Sequence, residues 1–145
     1  MQHVENERAG CVLHKFLLIY RHLRQYHRQI DEYGVRPRQA SVLRYLADHG
    51  PATAGDIQAY LYTSASTASS VIAQLEDAGQ VTRTRAPEDN RVVIITITDV
   101  GRDVATRTPV GGIGLLRQRL GNLSGEQLQQ MDDALAEIMR LMEVQ

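Results

Sequence analysis

Positions 64 to 70 read Ser-Ala-Ser-Thr-Ala-Ser-Ser, so five of seven side chains are hydroxyls. Small hydroxyls let a helix seat deeply against DNA, donate to phosphate oxygens and touch base edges without strong preference. Gln74 adds an amide one turn later. Downstream, Arg83, Arg85 and Arg91 bring positive charge, and "PEDNR", residues 87 to 91, sets a carboxylate two residues before an arginine. An arginine at that place can enter a minor groove, where negative potential is concentrated. Asp89 is expected to brace its guanidinium across the turn. Arg83 and Arg85 share one face of a strand and would reach phosphates. Alone, Asp89 and Arg91 also fit an ordinary turn ion pair worth under about 1 kcal/mol.

Other chemistries find less support. No nucleophile elbow, phosphate loop or metal-protease helix is present, so turnover is not expected. The five histidines (His3, His14, His22, His27 and His49) form no ligand set, and His22 and His27 lie five residues apart, awkward for one helix face. No metal and no cofactor is expected. The one cysteine, Cys11, excludes an internal disulfide framework and fits a reducing cytoplasm. A reactive thiolate needs an electropositive setting, which Lys15 one turn on would help to supply. An inert small residue near a helix start is the plainer reading of Cys11.

The elements that must position these residues follow from the pattern. Val12, Phe16, Ile19, Leu23, Tyr26, Ile30 and Tyr33 step by four and three, the stripe of one long helix that Gly34 ends. A second helix fits Arg38 to His49, with His49-Gly50-Pro51 as its stop. Thr53-x-x-Asp56 opens a short third helix that buries Ile57 and Leu61. A fourth runs from Ser64 to Gly79, with Ala68, Val71, Ile72 and Leu75 inward and Gly79 in a left-handed turn. Two β-branched strands then flank the Pro87–Asn90 turn. A fifth helix starts near Thr98 and meets Pro109, Gly111, Gly112 and Gly114, which should kink it. A sixth starts at Ser124-x-x-Gln127 and carries Leu128, Met131, Leu135, Ile138 and Met142 at heptad-like steps. Three short helices followed by a hairpin spell a winged helix-turn-helix, and Arg91 lies near the wing tip. The fold class is mainly α with a small β-hairpin wing, plus helices at both ends for dimerisation.

Bulk properties agree with that plan. A chain of 145 residues fits a single domain, with 43% hydrophobic and 23% charged residues. No apolar run approaches a membrane span, and "MQHVENERAG" carries no signal-peptide core, so the expected location is cytoplasmic. Net charge is −1. The bases Lys15 to Arg44 crowd the first third, while residues 120 to 145 hold five acids against Arg140. Ends of opposite sign often meet, although two unrelated solvated faces explain them equally well.

Residues 38 to 101, and most specifically "QLEDAGQVTR" (74–83), "PEDNR" (87–91) and "ITDVG" (97–101), resemble the MarR family of bacterial transcriptional regulators. The flanking helices match the family layout, so the resemblance covers nearly the whole chain. It implies a homodimer held by residues 1–36 and 102–145, with a DNA-binding lobe at 37–101. It also implies binding to a pseudo-palindromic double-stranded operator, with release by a small molecule or by oxidation. The expected DNA contacts are Arg38, Thr53, Ser64, Ala65, Ser66, Thr67, Ser69, Ser70, Gln74, Arg83, Arg85, Asp89 and Arg91. An effector cleft would involve His14, Tyr20, Arg21, Tyr26, Arg38 and Tyr45, and aromatics beside a base suit an anionic aromatic compound. Some members of the family sense peroxides through a first-helix cysteine, which leaves a redox regulator acting through Cys11 open. This chain departs from the family in having Ala65 and Ser70 where arginine is common, which shifts weight from direct readout to the wing and DNA shape. Six arginines against six acids in residues 33 to 98 also leave open a protein-interaction module that does not bind DNA.

Overall fold

Apolar stripes and caps dictate most of the chain path. The computed structural model describes residues 1–145, apart from the side chain of Gln2. Two compact units divide the chain, Met1–Pro109 and Val110–Gln145. In the first, helix α1 spans Gln2–Asp31 and α2 spans Pro37–His49. Strand β1 (Ala52–Thr53) leads into α3 (Ala54–Leu61) and α4 (Ala65–Asp77). Strands β2 (Val81–Arg85) and β3 (Val93–Ile97) precede α5 (Asp99–Arg107). The second unit holds α6 (Gly112–Leu120) and α7 (Gly125–Leu141). No described helix is long and apolar enough to cross a membrane.

The core of the first unit joins one face from every element. Ile30, Leu43, Leu46, Ile57, Ile72, Leu75 and Ile95 are fully buried, each contributing roughly 1.5–3 kcal/mol by leaving water. Leu61, expected inside, is only half-buried, because it closes the last turn of α3 at the edge of this cluster. The α1 stripe is buried at Ile30 and half-buried at Phe16, Leu23 and Tyr26, while Val12 and Ile19 stay exposed.

Local signals set the boundaries. Thr53 Oγ1 accepts from the Asp56 N–H at 3.0 Å, and Asp56 Oδ2 accepts from the Thr53 N–H at 3.0 Å, a reciprocal cap worth about 1 kcal/mol. Ser124 and Gln127 repeat the pattern at α7. Gly79 takes φ +70°, as the turn out of α4 requires. The hairpin is part of a three-stranded antiparallel sheet in the order β1-β3-β2, with Ala52 opposite Ile95 and Arg83 opposite Ile95 on the other side. Strand β1 is two residues long, too short to leave a periodic signal.

The expected kinked helix after Thr98 is instead two helices. Thr108 stands before a proline and is pushed to extended backbone, φ −76° and ψ 124°. Pro109 has no N–H to continue the ladder. Gly111 is extended and Gly112 restarts a helix from φ +54°. Carbonyls at this end of α5 take side-chain donors. Thr108 Oγ1 donates to Val104 O at 2.7 Å, and Arg44 Nη2 donates to Thr108 O at 2.9 Å and Ala105 O at 3.4 Å. Tyr26 Oη donates to Pro109 O at 2.9 Å. Helices α6 and α7 bury no residue, and Ile113, Leu116, Leu128, Met131, Leu135, Met139 and Met142 all lie open.

Candidate nucleic-acid interface

Helix α4 turns Ala68, Val71, Ile72 and Leu75 into the core, and the 3.6-residue period then sends Ser66, Ser70 and Gln74 outward. Ser64 is the N-cap. Its Oγ accepts from the Thr67 N–H at 3.2 Å and donates to Thr67 Oγ1 at 2.9 Å, with Ser66 Oγ 3.2 Å away. The hydroxyl of Ser64 therefore shapes the helix start with that of Ser66 bonded to it, and the exposed hydroxyls outside this cluster are those of Ser69 and Ser70. Ala65 and Ser69 also line a groove of about 240 Å³ with Ala54, Gln58, Arg83 and Ile95. Arg38 is exposed in the first turn of α2, and Thr53, half-buried, is engaged in the α3 cap.

The wing differs from expectation in its ion pairs. Asp89 Oδ1 accepts from the backbone N–H of Arg91 at 2.9 Å, and no ion pair joins the two side chains. A short carboxylate two residues ahead reaches that backbone amide readily, the usual Asx turn. Val92 N–H donates to Asp89 O at 3.0 Å and Ala86 N–H to Val92 O at 2.9 Å, closing the tip. Arg85 donates to the Asn90 carbonyl, and Arg83 Nε lies 3.3 Å from Glu76 Oε1 of α4. Among the described residues, Arg91 is the wing arginine left without an ion pair or hydrogen bond from its guanidinium.

"ITDVG" has a physical reading as well. Thr98 Oγ1 donates to Gly79 O at 2.6 Å and accepts from the Gly101 N–H at 3.1 Å, tying the start of α5 to the turn after α4. A Cβ on Gly101 would lie 2.1 Å from Gln80 O, so only glycine fits.

The residues expected to form an effector cleft are dispersed. Tyr20 and Arg21 share an open groove of about 490 Å³ along α1 with Leu17, Arg24, Gln25 and Arg28, and Arg24 sits 5.7 Å from the Tyr20 ring centroid. Tyr26 is bonded to Pro109 O instead, and Tyr45 stacks on His49 at 4.5 Å and meets Tyr60 at 4.4 Å. His14 and Arg38 are exposed and line neither described groove. Sequence reasoning missed Arg44 and Gln39, whose partners lie 64 and 35 residues away.

Comparison with known proteins decides what this arrangement belongs to. The family model described as MarR family matches residues 35–93. The chain is 30% identical over 115 residues to the organic hydroperoxide resistance transcriptional regulator of Bacillus subtilis (strain 168), covering 77% of this chain and 75% of that protein. The chain belongs to the MarR family. A second relative, the uncharacterized HTH-type transcriptional regulator YdgJ of the same organism, is 27% identical over 103 residues, which span 71% of this chain and 63% of that protein. Among solved structures, the MarR family regulator AbsC from Streptomyces coelicolor has the same fold, with TM-score 0.66, 21% identity and 94% and 95% of the two chains covered. Reduced AbfR bound to DNA is similar at TM-score 0.62 and 22% identity, over 98% and 99% of the chains. As a member of this family of transcriptional regulators, the MarR chain is not an enzyme.

Proposed function

We propose that this chain is a cytoplasmic, DNA-binding transcriptional repressor. It works as a homodimer on a pseudo-palindromic operator and leaves it on binding a small anionic effector. The observation that carries the reading is the outward hydroxyl face of α4 beside a wing whose Arg91 guanidinium is unpaired. Residues 37–101 form the DNA-binding lobe, and 1–36 and 102–145 serve dimerisation within a single MarR-like domain. Supporting the dimer, Val12, Leu13, Leu17 and Ile19 of α1 and Leu128, Met131, Leu135 and Met139 of α7 are exposed, more apolar surface than a monomer usually leaves open. The groove at Tyr20, Arg21, Arg24 and Arg28 offers cations and an aromatic ring to an anionic aromatic compound.

The test is binding to randomised duplexes across a salt series. Phosphate neutralisation makes log affinity fall linearly with log salt, so binding that weakens in this way supports the reading, and no bound duplex even at low salt would favour a protein-interaction module. A redox reading through Cys11 rests on its exposure on α1 and on the hydroperoxide-resistance name of the 30% identical relative. Organic hydroperoxide should then weaken DNA binding by the native chain and leave Cys11→Ser unaffected.

A further inference from the structure

Gln39, at the third position of α2, accepts from the Arg36 backbone N–H with its Oε1 at 3.0 Å. A backbone N–H can only donate, so this bond fixes which end of the Gln39 amide is which. Gln39 Nε2 therefore faces α4, where it donates to Gln74 Oε1 at 2.8 Å. The carbonyl of Gln74 is turned toward α2, and its Nε2 carries two N–H groups with no partner among the described residues. Gln74 is exposed on α4, one turn beyond Ser70 and two beyond Thr67. A glutamine free to rotate reads adenine with donor and acceptor together, and this one has its acceptor drawn away.

We infer that Gln74 meets DNA as a hydrogen-bond donor alone, aimed at an acceptor, and that Gln39 is the positioning residue that sets this polarity. The inference rests on the DNA-binding reading above. In the major groove adenine N7 and thymine O4 also accept, but guanine alone sets two acceptors, N7 and O6, side by side; on the backbone the acceptor is a phosphate oxygen. Among the described residues, the Gln39 side-chain amide is held by these two bonds.

Replacing Gln39 by glutamate reverses the polarity. A carboxylate still accepts from the Arg36 N–H, and glutamate is the usual residue at this helix position, so the cap survives. Its second oxygen can only accept, which turns Gln74 to offer Nε2 inward and Oε1 outward.

The experiment selects bound sequences from randomised duplexes with the full-length native chain, Gln74→Met, Gln39→Glu and the double variant, and then measures affinities at fixed salt. If Gln74 reads a base, the native chain prefers guanine at one position of each half-site, and Gln74→Met flattens that preference. Gln39→Glu moves it about tenfold toward cytosine or adenine, whose exocyclic amines donate. If Gln74 meets a phosphate, Gln39→Glu lowers affinity for every duplex by about tenfold, since a carbonyl then faces an anion. In either case the effect of Gln39→Glu shrinks severalfold once residue 74 is Met, which separates polarity from added charge. Equal effects of Gln39→Glu with and without Gln74, or a Gln74-dependent choice of adenine over guanine in the native chain, overturn the proposal. A native chain that binds no duplex at any salt removes the DNA-binding reading itself, a result distinct from binding without this coupling.

Discussion

Arg44 of α2 and Thr108, the last residue before Pro109, are joined by a hydrogen bond of 2.9 Å from the guanidinium to the backbone carbonyl. The arginine stands at the C-terminal end of α5, where partial negative charge gathers on carbonyls that lack a helical donor. Arg44→Met, which keeps the stem and removes the donors, should lower stability by about 1–3 kcal/mol. Thermal melting followed by helix signal checks this. An unchanged midpoint would mean that water serves those carbonyls equally well.

Arg91→Ala should cost at least about tenfold in DNA affinity and reduce the salt slope by about one per bound charge, without changing the melting temperature. Asp89→Ala should cost less, by loosening the tip that its bond to the Arg91 N–H closes. Titration of both variants against a selected duplex decides between them. Asp89→Ala hurting more than Arg91→Ala would mean that tip shape outweighs charge.

Gly101→Ala should destabilise by about 1–3 kcal/mol or more, since its methyl would sit 2.1 Å from Gln80 O and backbone cannot give way cheaply. Denaturant unfolding measures it. DNA binding should suffer with it, because α5 and the turn leading into β2 would separate.

Leu135→Lys or Ile138→Lys should dissociate or unfold the proposed dimer by placing an unpaired charge in its seam. Sedimentation at tens of micromolar is the check, and a native chain already running as a 16.2 kDa monomer there would end the dimer proposal.

Features that depend on neighbours in sequence were legible. Thr53 with Asp56, Ser124 with Gln127 and the left-handed Gly79 each rest on bonds or angles within one turn. The stripe Ala68, Val71, Ile72 and Leu75 named the buried face of α4, and so its outward face. What depended on distant partners was not legible. The Asp89 carboxylate had two nearby donors in Arg91, and the sequence does not tell amide from guanidinium. Pro109 signalled an interruption, but the clamp from Arg44 and Tyr26 that allows a full break comes from other helices. Gln39 reads as an ordinary helix-start residue until Gln74 is placed beside it.

Helices α6 and α7 have no fully buried residue, and only a few, such as Leu115, Leu120 and Ile138, are half-buried. A segment of that kind draws little stability from its own packing, and whatever covers it contributes by mass action. Covered by a second copy, the chain should melt at a temperature that climbs with protein concentration. Dilution alone would then loosen the helices, before any effector or oxidant arrives. Abundance would thus act as a control on this regulator in its own right, with too few copies leaving the operator open.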